Sequence, residues 1–410
     1  MAKRLLFYCQ HVLGMGHLIR STEIVRSLAR DFSVLFVVGG EIPDGFRLPE
    51  GAEILQLPPL KTDSDFANLQ SCDSSYDLEQ AKTTRSRLLL SAYDNFQPDI
   101  LVTELFPFGR KQFSFELLPL LERAHAGESS GRTLVVCSLR DILVARKDRQ
   151  EYEQRVCKTV NRFYDLVLVH GDSRYQRLEE TFLRAKDLRC PVVYTGYVVQ
   201  EKSEVSVLAG LSPMESAKPV IVVSNGSGQA PSGHELIESS LRAASLLKDS
   251  IPHHFHIFAG PFIPESAYEK LEHLAEGLAN VTLSRYTPSL PGYLKLAELS
   301  ISMAGYNTVM DILSTGVRAL VYPFAGSGEQ EQTVRAAKMA QLGVLDVLSQ
   351  QQLVPERLAA IIQESLRGKP VRIPFNNRGA ANSSLLLREH LAMRNKISLV
   401  DQRVSVQQPV

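Results

Sequence analysis

Apolar and polar positions alternate in blocks along this chain. Short apolar runs occur at Leu5–Cys9, Val34–Val38, Ile100–Thr103, Leu134–Cys137 and Leu166–Val169. Between them, near 17–30, 78–96, 113–125, 148–162 and 173–185, apolar residues recur at helical spacing. Uninterrupted apolar strands separated by amphipathic helices predict a parallel sheet covered on both faces. The rhythm stops after Tyr197-Val198, where residues 199–217 are polar, contain Gly210 and Pro213, and read as a linker. It restarts with strands at Pro219–Ser224, Phe255–Ala259, Val281–Leu283 and Ala319–Tyr322. Helices are predicted at 233–248, 265–276, 289–297, 305–315, 329–341 and 355–366. The chain therefore reads as α/β, with two Rossmann-like domains, 1–198 and 218–372, facing across a cleft. A helix at 373–395 is expected to pack back on the first domain, ahead of a polar tail at 396–410. In open parallel sheets ligands bind outside the carboxyl ends of the strands.

Composition narrows the function classes. The 410 residues are 44% hydrophobic and 22% charged, as in ordinary globular domains. Lys+Arg and Asp+Glu balance at 45 each, so no global basic field draws nucleic acid, and none is expected as a partner. A small anion stays open, because a helix N-terminus can bind phosphate. The five cysteines are scattered and form no CxxC, which argues against a zinc cluster or disulfide framework and suits a reducing compartment. Cys9 and Cys137 lie in apolar runs and read as buried thiols. The Leu5–Cys9 run falls short of the roughly 7–15 apolar residues of a secretory core. No stretch reaches the roughly 18 residues of a membrane span. A cytoplasmic protein is expected, with room for peripheral contact at the inner face of the membrane.

Candidate chemistry sits in the strand-to-helix loops. The first strand runs into Gln10-His11-Val12-Leu13-Gly14-Met15-Gly16-His17, then a helix bearing Arg20 and Arg26. A dinucleotide fingerprint would need a third small residue at position 19, which holds Ile19. His17 is then either a cleft-facing histidine suited to general-base work or a simple helix cap. In the second half, Asn225-Gly226-Ser227-Gly228 offers backbone N–H groups for a diphosphate. Ser302-Met303-Ala304-Gly305-Tyr306-Asn307-Thr308 opens a helix that carries Asp311 one turn on, placed to accept ribose hydroxyls. Val321-Tyr322-Pro323-Phe324 leads into Gly326-Ser327-Gly328-Glu329-Gln330-Glu331-Gln332, whose amides and carboxylates can read a sugar. Phe106-Pro107-Phe108-Gly109-Arg110-Lys111, with Phe113 and Phe115, is either core or an acceptor or membrane-surface patch.

These residues carry a resemblance. Through Gln10–Arg20, Thr103–Phe115, His170–Thr181 and Ser302–Pro323 the chain resembles family 28-type GT-B glycosyltransferases. That family includes the enzyme that adds N-acetylglucosamine to the lipid-linked peptidoglycan precursor; within it the chain looks most like a group of predicted bacterial glycosyltransferases. The resemblance covers nearly the whole chain and implies a GT-B fold and a nucleotide-sugar donor. It implies that Gly14, Gly16 and His17 lie beside donor phosphates and acceptor. Gly226, Ser227 and Gly228 would form a phosphate-proximal loop, and Ala304, Gly305, Asn307 and Thr308 the helix start under the diphosphate. Asp311 stands where the family carries a ribose-binding glutamate. Gln332, with Gln330 beside it, would contact the donor sugar, and backbone around Arg285 and Tyr286 the base. Two departures bear on substrate: Asp311 is shorter than glutamate, and the first loop is poorer in glycine than that of the peptidoglycan enzyme.

The resulting expectation is a metal-independent, inverting glycosyltransferase of the hexosyl or N-acetylhexosaminyl class using a UDP-sugar. Its acceptor is a small molecule, lipid-linked group or glycan. His17 is the first candidate base and Glu104, ending the Ile100–Thr103 run, the second. Asp63-Ser64-Asp65 has Asp-x-Asp spacing but lies in a polar loop far from the donor residues, so neither metal nor cofactor is expected. The alternatives are a hydrolase of nucleotide sugars and a non-catalytic nucleotide-sugar-binding protein.

Overall fold

The first strand shows why the sheet is covered on both sides. In β1 (Arg4–Cys9), Leu5, Phe7 and Cys9 enter one core layer, while Leu6 and Tyr8 enter the other. Side chains alternate across a strand, so a run apolar at every position needs cover on both faces. The computed structural model describes residues 2–12, 15–62, 68–126, 132–144, 148–200, 218–324 and 330–406, with side chains through 394. Gly14, Asp63–Asp65, linker residues 201–217 and residues 326–329 of the third loop lie outside the described residues.

After β1 come β2 (Ser33–Val38), β3 (Ala52–Gln56), β4 (Leu60–Thr62), β5 (Leu69–Ser71), β6 (Ile100–Glu104), β7 (Leu134–Arg140), β8 (Leu166–His170) and β9 (Val192–Tyr194). The first domain is a seven-stranded parallel sheet in the order β3-β2-β1-β6-β7-β8-β9, with β4 and β5 as a separate antiparallel hairpin. Helices α1 (Gly16–Leu28), α2 (Leu78–Phe96), α3 (Ser114–His125) and α4 (Arg149–Phe163) belong to it. α2 keeps its expected bounds because Asp77 accepts from Gln80 N at 2.8 Å while Gln80 accepts from Asp77 N at 3.1 Å.

The second domain has β10 (Val220–Ser224), β11 (His254–Phe258), β12 (Val281–Ser284), β13 (Ala297–Met303), β14 (Arg318–Tyr322) and β15 (Asp346–Val347). All pair in parallel, in the order β12-β11-β10-β13-β14-β15. Its helices are α5 (Pro231–Leu247), α6 (Glu265–Ala275), α7 (Leu290–Leu296), α8 (Tyr306–Thr315), α9 (Glu331–Gln341) and α10 (Pro355–Arg367). In each sheet the chain winds outward from one strand, then crosses to that strand's other side. The reversal falls between β1 and β6 in the first sheet and between β10 and β13 in the second. Such points leave a crevice at the carboxyl edge.

Three expectations change. The 173–185 stretch is not an α-helix but two short 3₁₀ turns, Leu178–Glu180 and Leu183–Asp187. Side chains take the N–H groups a helix would use: Glu180 takes that of Arg177, the Tyr194 hydroxyl that of Leu178, and Glu153 those of Leu183 and Arg184. β13 occupies residues that the periodicity left between two helices. Finally, α11 (Gly379–Val406) runs into the expected polar tail, in a stretch with neither proline nor glycine after Gly379. Leu387 and Leu391 of α11 join the layer of Leu18, Ile24 and Val25 from α1, which fixes the last helix on the first domain.

Candidate active site

The first domain supplies a histidine whose orientation is built from β1 outward. Behind it, fully buried Arg85 of α2 pairs with Glu116 at 2.6 Å and donates to Gln10 Oε1 at 2.6 Å and Gly39 O at 2.7 Å. Gln10 in turn donates to His11 O and Leu60 O. The chain thus leaves β1 on a fixed course and enters α1, where His17 falls in the first turn. Glu104 ends β6, the neighbouring strand, so both side chains sit at the switch point. His17 Nδ1 lies 2.7 Å from Glu104 Oε1, and Arg20, one turn on, donates to the same oxygen at 2.6 Å. Arg20 also lies 3.2 Å from Nδ1, but as a donor only it serves the carboxylate rather than the ring.

The electrostatics assign the roles. Burial pushes His17 down to about 4, against the upward pull of Glu104, so the ring is neutral near neutrality. Burial would raise the Glu104 carboxyl, but His17, Arg20 and Arg110 outweigh it and hold the group at about 2. An ionised carboxylate cannot donate. The 2.7 Å contact therefore places the proton on Nδ1 and the lone pair on Nε2. Glu104 is fully buried, and His17 and Arg20 both engage its Oε1, an arrangement suited to orienting the ring.

The second domain brings its own switch point to the same place. α8 begins after Ala304-Gly305 with no side-chain cap, and a Cβ on Gly305 would meet nothing within 4 Å. Among the described residues, then, no side chain caps its first N–H groups. Asn307 Nδ2 donates to Gly16 O at 3.1 Å, tying the first turn of α8 to the first residue of α1. Two helix N-termini converge beside His17, which concentrates positive potential there. Thr308 and Asp311 follow on α8 and are buried.

The remaining predicted residues fall as follows. Gly226 and Gly228 adopt left-handed conformations, with φ of 67° and 85°. The loop is clamped to the β11 loop through Phe262 N to Ser227 O at 3.0 Å and Asn225 Nδ2 to Ala259 O at 3.1 Å. Gln332 Oε1 accepts from Phe324 N at 3.0 Å, and Gln330 is exposed just ahead of α9. Arg285 turns its guanidinium to Glu265 and over the Tyr268 ring, while its carbonyl accepts from Gly260 N at 2.7 Å. Tyr286 is half-buried. The Phe106, Phe108 and Phe113 rings are core, which removes them from any surface patch. Among the described residues, no cluster of three His, Cys, Asp or Glu has metal-site geometry, and no helix is long and apolar enough to cross a membrane.

Sequence reasoning missed the residues that join the halves. Tyr306 has the Arg20 and Arg335 guanidinium carbons 5.1 and 5.2 Å from its ring centre. Its hydroxyl donates to His170 O at 3.0 Å and accepts from Val198 N at 3.2 Å. Buried Arg335 pairs with Asp141 of the first domain and Glu331 of its own helix, both at 2.8 Å, and Arg140 also reaches Glu331. Nothing in a linear pattern marks the contacts between the domains, since there each partner lies over a hundred residues away. A cavity of about 280 Å³ is lined by His11, Val12, Leu60 and Lys61 from one domain and Phe262 and Ile263 from the other.

Comparison with known proteins places this geometry. Residues 220–387 match the glycosyltransferase family 28 C-terminal domain. The chain is 33% identical over 88 residues to the UDP-N-acetylglucosamine–N-acetylmuramyl-(pentapeptide) pyrophosphoryl-undecaprenol N-acetylglucosamine transferase of Methylorubrum populi, covering 22% of this chain and 24% of that one. It is 25% identical over 187 residues to the Syntrophotalea carbinolica enzyme of the same name, covering 44% and 48%. These matches span between a quarter and a half of the relatives' length. The calicheamicin glycosyltransferase CalG4 superposes over 99% of this chain and 98% of its own, with TM-score 0.56 and 16% identity. The kitacinnamycin glycotransferase does so over 100% of both, with TM-score 0.56 and 15% identity. The fold is GT-B.

Proposed function

We propose that this chain, which carries a family 28-like C-terminal domain on a GT-B frame, transfers a sugar from a nucleoside diphosphate donor, a UDP-sugar, to an acceptor hydroxyl. What carries the reading is the meeting of the α1 and α8 N-termini beside a neutral histidine oriented by a buried carboxylate.

The acceptor oxygen attacks the anomeric carbon, the bond from that carbon to the diphosphate oxygen breaks, and its electron pair leaves with the diphosphate. His17 Nε2 takes the acceptor proton, and Nδ1–H···Glu104 steadies the imidazolium that forms. The first turn of α8, with Ala304, Gly305, Asn307 and Thr308, meets the charge growing on the diphosphate, and Gly16 and the Gly226–Gly228 loop flank it. Asp311 is assigned to the ribose, Gln330 and Gln332 to the sugar, and backbone near Arg285 and Tyr286 to the base. Direct displacement inverts the anomeric centre. Because helix N-termini meet the leaving charge, the scheme calls for no metal. Uracil and the relatives' N-acetylglucosamine come to this chain by similarity.

The test is calorimetric titration of the full chain with UDP and with NAD, followed by incubation with a UDP-sugar panel and cell-extract acceptors, read by mass spectrometry. UDP should bind and one donor should yield a glycosylated product. Tighter binding of NAD than of UDP would overturn the donor assignment. Free sugar released equally fast without acceptor would make the chain a hydrolase.

A further inference from the structure

The proposed reaction needs two groups from different domains in register: the base on α1 and the start of α8, assigned to the leaving diphosphate. One side chain reaches across both. Tyr306 is the first residue of α8, and it is buried. Its ring shares a core cluster with Tyr197, Val309, Met310, Ala336 and Met339. Its hydroxyl crosses to the first domain, donating to His170 O at 3.0 Å and accepting from Val198 N at 3.2 Å. The apolar cluster holds the base of the side chain, and the two hydrogen bonds hold its tip.

What the ring meets on the first domain is Arg20. This side chain is buried, and its Nη2 donates to Glu104 Oε1 at 2.6 Å. Among the described residues, Arg20 Nε and Glu104 Oε2 are buried without hydrogen-bond partners, so the pair is joined through one carboxylate oxygen. A guanidinium is fixed on a carboxylate by a fork of two parallel bonds. About a single oxygen the planar group can still swing. The Arg20 guanidinium carbon lies 5.1 Å from the centre of the Tyr306 ring, within the roughly 6 Å of a cation–π contact, which strengthens when the cation is out of water. The ring is therefore the second point of attachment. Glu104 Oε1 also lies 2.7 Å from His17 Nδ1, so a swing of Arg20 alters the charge that orients the imidazole. The charged groups facing His17 are Glu104 of β6, Arg20 of its own helix, Arg110 of the loop after β6 and Glu331 of α9; of these the Tyr306 ring contacts Arg20. Arg335, 5.2 Å from the same ring, is held separately by Asp141 and Glu331.

We propose that Tyr306 is a positioning residue of the transfer reaction: its ring holds Arg20 on Glu104, so that the orientation of His17 depends on the seating of the donor helix α8. The base is then fully oriented only when the helix assigned to the leaving group is docked beside it. The inference rests on the transferase reading, with His17 as base and the donor on α8.

The test is acid titration of the full chain, with isotopically labelled histidine, followed by nuclear magnetic resonance. The His17 signals are assigned by their loss in His17→Ala. Without the Tyr306 ring Arg20 can move off, and a cation leaving an imidazole raises its affinity for protons. His17 in Tyr306→Leu should therefore titrate about one pH unit above wild type, a tenfold change in the proton equilibrium. Tyr306→Phe keeps the ring and loses the hydroxyl bonds, so its His17 should shift less. In an Arg20→Met background Tyr306→Leu should add no shift, because the group it acts through is gone, and UDP affinity in Tyr306→Leu, read by calorimetry, should stay within about twofold, as for an uncoupled site. Four results overturn the proposal. They are no upward shift in Tyr306→Leu, an equal shift in Tyr306→Phe, a shift that survives in Arg20→Met, and loss of UDP affinity in Tyr306→Leu. The second would give the role to the hydroxyl, the third to Arg335 or to water entering the vacated space, and the last to support of α8 alone. Failure of UDP to bind the wild type would refute the donor reading instead, and the titrations would still show whether Tyr306 acts on His17 through Arg20. Should Tyr306→Leu lose its cooperative melt, Tyr306→Met is read by the same criteria.

Discussion

At the scale of residues, the proposed chemistry depends on partly buried His17 and fully buried Glu104, held in opposite protonation states. His17→Ala should lose about 10²–10⁴-fold in turnover and keep near-normal UDP affinity, because the nucleotide is assigned to the other domain. Since burial holds the ring at about 4, kcat/KM should stay level as pH falls from 8 to about 5 and drop only near 4. An acid limb near the ordinary histidine value, about 6.5, would show that the ring is not buried as described. Asp311, buried on α8, is the residue proposed for the nucleotide side. Asp311→Ala should weaken UDP by about ten- to a hundredfold, since a charged hydrogen bond contributes roughly 1.5–3 kcal/mol. Unchanged UDP affinity in the folded variant would make Asp311 a structural residue.

At the scale of elements, the second-domain site depends on two loops that touch backbone to backbone. Gly228 has φ of 85°, and a Cβ there would lie 2.8 Å from Ala259 O, whereas a Cβ on Gly226, at 67°, would meet nothing within 4 Å. Gly228→Ala should therefore cost about 1–3 kcal/mol of stability, and Gly226→Ala less, only the left-handed strain of about 1–2 kcal/mol. Denaturant unfolding of the two variants compares them directly, and equal costs would contradict the described clamp. The elements themselves were largely legible: β1, α2, β10 and α8 stand where apolar period, capping residues and glycines put them. The 173–185 segment was not, because Tyr194 and Glu153, distant in sequence, take its N–H groups.

At the scale of the molecule, the halves are joined by charges removed from water. Arg335→Met should destabilise the chain by about 3–5 kcal/mol, because it leaves Asp141 buried without its partner. A loss under about 1 kcal/mol in urea unfolding would mean the pair is dispensable. Acid should act on the whole fold through three histidines. Burial lowers His11 and His17 to about 4 and His170 to about 3, below the unfolded value of about 6.5. Between those values the unfolded chain binds more protons, so their contribution is complete above about pH 6.5 and is lost as pH falls toward 4. Glu104 and Glu331, both held at about 2, lose theirs only below the unfolded carboxyl value of about 4.5. The melting temperature should therefore begin to fall near pH 6.5, before any carboxylate titrates. A flat profile from pH 7 to 5 would show that the rings are not held neutral.

The sequence by itself determined the two parallel sheets, because strands apolar at every position can be satisfied only by helices on both faces. It also marked the glycine-bearing loops, His17 and the start of α8, since small residues after a strand are a local signal. Only the tertiary structure puts Glu104 against His17 and Arg20, the arrangement from which its orienting role is proposed. That role depends on burial, and on Arg20 reaching one carboxylate oxygen from the neighbouring helix. Only it could show that Asn307 meets Gly16 and that Tyr306 lies between Arg20 and Arg335. Glu104 lies 87 residues from His17, and Asn307 lies 291 residues from Gly16, so these relations exist only once the chain has folded.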